Sequence, residues 1–129
     1  AKKYLKVSRG EIISISSAAG VKTIKGAPIT YSTAKAALNF YLKSLSTYLG
    51  KEGVRINIIA PGNILFKGST WEKKIKTNKN LVKKIIEDTV PLKRFGSRDD
   101  IAELVNYLIS SKASYLNGSI ISIDGGLSI

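Results

Sequence analysis

Residues 54–62 read Val-Arg-Ile-Asn-Ile-Ile-Ala-Pro-Gly. Val54 to Ala60 is a short run rich in β-branched side chains, of strand length, and Pro61-Gly62 ends it abruptly. Upstream, Ala34, Ala37, Leu38, Tyr41, Leu42, Leu45 and Leu49 recur at spacings of three and four. That period predicts a helix from Ile29 to Leu49, with Gly50 as its stop. Before it, Ser17 to Pro28 is rich in Ser, Ala, Gly and Lys and reads as a loop. Glu11 to Ser16 reads as a buried strand, and Ala1 to Lys6 as a helix end broken by Ser8-Arg9-Gly10. Downstream, a helix is expected over Ser69 to Thr89, with Thr77-Asn78-Lys79-Asn80 as a place where it divides and Pro91 as its terminator. Ser97 is a good N-cap for a further helix to about Ser110, with Asp99, Asp100 and Glu103 near its positive end. Gly118 to Asp124 is the last strand, closed by Gly125-Gly126. Strands alternating with long helices predict an α/β fold, a parallel sheet with helices on its faces. Strands apolar at nearly every position fit a sheet covered on both sides.

The composition narrows the chemistry. With 129 residues, one domain is the prior. Cysteine and histidine are both absent, which excludes disulfides, a thiol nucleophile, thiolate or imidazole metal ligands and a histidine base. Acid–base work falls to Tyr, Lys, Asp or Glu. No apolar run approaches the ~18 residues of a membrane span, and no apolar stretch of signal-peptide type follows the charged N-terminus. A cytoplasmic protein with no membrane partner is therefore expected. The net charge of +12 comes from 17 Lys and 4 Arg against 9 acids. A basic nucleic-acid-binding module is one reading of that balance. A lysine-rich solvated surface fits better, because arginine forks are few and no zinc-finger, RNP or zipper pattern is present.

Tyr31-Ser-Thr-Ala-Lys35 opens the long helix. Residues four apart lie on one helical face, about one turn from each other. A free tyrosine titrates near ~10 and is a weak acid–base group at neutral pH. A neighbouring ammonium favours a phenolate, which suits the pair to proton transfer. Spacing alone is weak, because the chain holds 6 tyrosines and many lysines.

The surrounding motifs carry more. GEIISISSAAG (10–20), YSTAK (31–35), VRINIIAPG (54–62), PLKRFGSRDDIAELVNYLIS (91–110) and GSIISIDGG (118–126) occur in this order. The series resembles the classical short-chain dehydrogenase/reductase family, in particular its 3-oxoacyl-[acyl-carrier-protein] reductase-like members, over nearly the whole chain. The resemblance implies the C-terminal part of a Rossmann-type doubly wound sheet, about three strands with flanking helices. It implies a catalytic trio of Ser17, Tyr31 and Lys35, with Ser16 the neighbour a shifted alignment would select. Ser17 would bond the substrate oxygen; as a bare turn it would only cap. Tyr31 would be general acid in reduction and general base in oxidation. Tyr31 and Lys35, the Pro61-Gly62 turn and the backbone of Ile64 would face the nicotinamide end of NAD or NADP. Phe66 stands where many members place a Thr that touches the cofactor amide, so the chain departs from the family pattern at that contact.

None of the 11 glycines forms the GxxxGxG or GxGxxG turn that lets a backbone approach a pyrophosphate. The residue that selects between NAD and NADP and the family's relay asparagine are also missing. Residues 1–129 are accordingly expected to be a partial domain, the C-terminal half, inactive alone; the start at Ala1 and the lack of Met agree. The Glu11–Ser16 strand would then present an unpaired apolar edge. The expected substrate is a small carbonyl/alcohol pair. Seven lysines between Asn63 and Val90 (Lys67, Lys73, Lys74, Lys76, Lys79, Lys83, Lys84) suit an anionic or carrier-bound one, or simply a solvated face. The resemblance also implies a homotetramer, with the Ile29 helix and the last strand at subunit contacts. The alternatives are a non-catalytic relative that keeps the fold for binding and an extended-type sugar-nucleotide epimerase or dehydratase. The ending GSIISIDGG favours the classical type over the latter.

Overall fold

Strand β2 (Arg55–Pro61) is the centre of the molecule, flanked by β1 (Glu11–Ile15) and β3 (Ile120–Ile123) in the order β1-β2-β3. The computed structural model describes residues 2–129. All pairings are parallel, with Ile12 opposite Ile56 and Ile59 opposite Ile121. Helix α1 spans Lys2–Ser8, α2 Ile29–Gly50, α3 Thr70–Thr77, α4 Lys79–Thr89 and α5 Arg98–Ile109. Single 3-10 turns occupy Ala18–Gly20 and Ser111–Ala113. Ala1, included in the helix end read from the sequence, lies outside the described residues. Among the described residues, no helix is long and apolar enough to cross a membrane.

The period of two in β2 divides the core between two helices. Ile56 and Ile58 pack with Leu42 and Leu49 of α2, and Val54, Leu38 and Ile12 complete that side. Ile59 faces the other way, against Leu108 of α5, with Ile13 and Ile121 beside it. Ile56, Ile58 and Ile59 are fully buried. Each such side chain contributes roughly 1.5–3 kcal/mol relative to exposure, so β2 anchors both layers.

Two expectations need correction. The first concerns β1, which is half-buried rather than buried, with Ile15 48% exposed. Among the described residues it is an edge strand, as the unpaired-edge expectation had it. The second concerns the core face of α2. Ala34, Ala37 and Tyr41 are exposed, and the buried positions are Asn39, Leu42, Ser46 and Leu49. Two polar residues displace the apolar stripe because each meets backbone from another element. Asn39 Nδ2 donates to Gly20 O at 3.0 Å. A Cβ on Gly118 would stand 2.6 Å from Ser46 Oγ, so the chain crosses there in close contact. The segment before Pro91 divides into two helices at Asn78, within the stretch where the sequence offered a break. Ser69 caps α3 by accepting from Glu72 N, and Asn78 caps α4 by accepting from Leu81 N.

Helix α5 begins as its sequence implied. Ser97 Oγ accepts from Asp100 N at 3.1 Å, and Asp100 Oδ2 accepts from Ser97 N at 2.7 Å, a capping box.

Candidate active site

The carboxyl ends of β1 and β2 lie side by side, because the strands are parallel and in register from Glu11–Arg55 to Ile15–Ile59. Ser16 N extends the ladder by donating to Ile59 O at 2.7 Å. Ser17 follows in extended conformation and starts the 3-10 turn. Its Oγ accepts from Ala19 N at 3.2 Å, so the capping role is real. A hydroxyl that accepts in this way still has its proton to donate. Ser16, in contrast, is buried.

Tyr31 and Lys35 occupy the first two turns of α2. Tyr31 is 45% exposed, whereas Lys35 is half-buried. Lys35 Nζ donates to Ile15 O at 3.2 Å, which anchors the ammonium to the end of the edge strand. It stands 5.8 Å from the centre of the Tyr31 ring, within cation–π reach of ~6 Å. An ammonium has three donors, so two remain after the bond to Ile15.

The end of β2 turns through Pro61-Gly62. Gly62 N donates to Ile123 O at 3.1 Å, and a Cβ there would lie 2.7 Å from Asp124 Cα. Only glycine allows that approach. Beyond it, Ile64 forms an isolated parallel bridge with Gly96. The bridge uses Asn63 O and Leu65 N, which leaves the amide of Ile64 itself outside it. Phe66 is turned toward α5, where the Arg98 guanidinium lies 4.4 Å from its ring centre.

An open cleft of about 540 Å³ joins these pieces. Ser17, Tyr31, Pro61, Gly62, Ile64 and Phe66 all line it. Lys35 does not, although its ammonium lies over the Tyr31 ring. Trp71 is also on the wall, with Lys74 Nζ 4.8 Å from its ring centre. The sequence reading missed Leu127, which also lines the cleft. The signal was Asp124-Gly-Gly: the Asp124 carboxylate accepts from Gly126 N and Ser128 N, both at 2.9 Å, and carries Leu127 round to the site.

In a separate, smaller cavity that shares Asn63 and Ile64 with the cleft, Arg94 is paired with Asp100 at 3.0 Å. Hydrogen bonds from the Arg94 side chain, and then from Ser97, hold the Asp100 carboxyl well below the usual carboxylate range. The same partnership raises Arg94.

Comparison with known proteins gives a consistent result. Residues 1–128 match the family described as Enoyl-(Acyl carrier protein) reductase. The chain is 42% identical over 118 residues to nodulation protein G of Azospirillum brasilense, covering 92% of this chain and 45% of that protein. It is 33% identical over 126 residues to 3-oxoacyl-[acyl-carrier-protein] reductase FabG of Buchnera aphidicola, covering 98% and 49%. The solved L-sorbose reductase of Gluconobacter frateurii, complexed with NADPH and L-sorbose, matches with a TM-score of 0.86 at 32% identity, covering 98% and 50%. The chain spans about half the length of the curated relatives it matches.

Proposed function

The chain belongs to the short-chain dehydrogenase/reductase family, and we propose that it supplies the proton-transfer half of an NAD- or NADP-dependent oxidoreductase that interconverts a carbonyl and an alcohol. The observation that carries this reading is the convergence of Ser17 and Tyr31 on one cleft, with the Lys35 ammonium anchored behind the tyrosine. In reduction, the Tyr31 hydroxyl gives its proton to the substrate oxygen; in oxidation it takes that proton back. Ser17 donates its free hydroxyl proton to the same oxygen and holds it near Tyr31. The positive charge of Lys35 opposes the negative charge left on the tyrosine oxygen once its proton has gone.

The donor set suits the nicotinamide end of a dinucleotide. The two remaining Lys35 donors, together with Tyr31, fit ribose hydroxyls, and the free Ile64 amide beside Pro61-Gly62 fits a carboxamide. When bound, the nicotinamide supplies or takes the hydride. No glycine-rich pyrophosphate turn is present in these 129 residues. We therefore read the chain as the C-terminal half of a Rossmann domain, inactive until the phosphate-binding half is supplied.

Lys74 on the cleft wall, with Lys73 beside it, favours an anionic or carrier-bound substrate. The outward face of α2 exposes Phe40, Tyr41 and Tyr48, which suits self-association into a homotetramer in the cytoplasm. The test is an assay of the full-length protein with reduced cofactor and a panel of ketones and acyl thioesters. Substrate-dependent loss of the cofactor's near-ultraviolet absorbance is expected. No turnover with either cofactor across the panel would overturn the reading.

A further inference from the structure

Asn39 lies one helical turn beyond Lys35 and two beyond Tyr31, on the buried face of α2, and is 3% exposed. Its Nδ2 donates to Gly20 O at 3.0 Å, while its Oδ1 is buried without a hydrogen-bond partner among the described residues. A residue there for packing alone would be apolar, since an unmet buried acceptor is costly. The bond that is made ends on the turn that carries Ser17. Ser17 O accepts from Gly20 N at 2.9 Å, and Ser17 Oγ accepts from Ala19 N at 3.2 Å, so residues 17–20 form one hydrogen-bonded unit. That unit is also pressed onto α2 from the other side. A Cβ on Gly20 would stand 2.7 Å from Lys35 Cβ and 2.8 Å from the Lys35 carbonyl carbon.

We propose that Asn39 is a positioning residue: by holding Gly20 against Lys35, it sets the Ser17 hydroxyl in its place relative to Tyr31. The proposal rests on the reading of Ser17 and Tyr31 given above and goes beyond it, because Asn39 does not line the cleft. Catalytic groups misplaced by about 1 Å can cost on the order of 100-fold in rate, so a clamp of this kind acts on turnover without touching substrate.

The experiment is a double-mutant cycle in the full-length protein. Asn39→Leu keeps the branched side-chain skeleton, with added bulk, and removes the donor. It should lower kcat about tenfold or more and leave the cofactor KM within about twofold. In a Ser17→Ala background the same change should have little further effect, because the positioned group is already gone. Gly20→Ala, whose Cβ would stand 2.7 Å from Lys35 Cβ, should also lower kcat, with a loss that shrinks in the Ser17→Ala background. Asn39→Ser, too short to reach the carbonyl, replaces leucine if that variant does not fold. An unchanged kcat in Asn39→Leu, or an equal loss in both backgrounds, overturns the proposal while leaving the site reading intact. An unchanged kcat in Ser17→Ala overturns the role of Ser17 and the positioning role with it.

Discussion

Removing the Arg55 guanidinium should cost the fold more than any other polar substitution in the sheet. Arg55 and Asn57 share one face of β2, two residues apart, under the segment that follows α5. Arg55 Nη1 donates to Ala113 O at 2.9 Å and to Leu116 O at 3.3 Å, and Nη2 donates to Leu108 O at 2.9 Å. The same guanidinium pairs with Glu11 of β1, whose side chain is 5% exposed. Arg55→Met keeps the stem and deletes the charge. Glu11 is then left buried, with Asn57 Nδ2 at 2.9 Å as its remaining polar contact. Breaking a buried pair from one side costs roughly 3–5 kcal/mol; the stranded carbonyls fall within that range rather than adding to it. Equilibrium urea unfolding followed by Trp71 fluorescence and circular dichroism measures the loss. Glu11→Gln added to Arg55→Met should recover part of it, since the stranded group is no longer charged. A cost below about 1 kcal/mol, typical of an exposed pair, would refute the argument.

Two further predictions concern charge. Asp100 is held below its unfolded value of about 3.9, so its contribution to stability is complete above that pH and is lost as pH falls toward the folded value. The stability deficit of Asp100→Asn relative to the wild type should therefore be constant from pH 5 to 7 and shrink steadily below about pH 4, measured by unfolding at each pH. Charge reversal at Lys73 and Lys74 should raise KM for an anionic substrate by roughly five- to tenfold and leave a neutral substrate unchanged, in steady-state kinetics of the full-length protein. Equal effects on both substrates would contradict an electrostatic role.

What was legible in the sequence is what local chemistry decides. The β-branched runs gave the three strands, Ser97 and Gly50 marked helix ends, and the order of elements implied parallel pairing. Tyr31 and Pro61-Gly62, singled out by their motifs, line one open cleft. What stayed hidden depends on contacts distant in the chain. The buried face of α2 could not be read from its apolar period, because Asn39 and Ser46 are buried against Gly20 and Gly118. The anchor of Lys35 on Ile15 O joins residues 20 apart, and the seat of Leu127 depends on the turn held by Asp124. Arg55 and Asn57 interrupt an apolar strand for a reason visible only once Glu11 and the carbonyls after α5 are in place.

The central claim is that Tyr31 carries the substrate's proton. The most direct measurement is the kcat of Tyr31→Phe in the full-length protein, with cofactor binding and the unfolding transition measured on the same sample. The account predicts a fall of about 10²–10⁴, the usual contribution of a positioned acid or base, with the fold retained and a much smaller loss of cofactor affinity, since Lys35 still holds the ribose. Turnover within a fewfold of the wild type would contradict it.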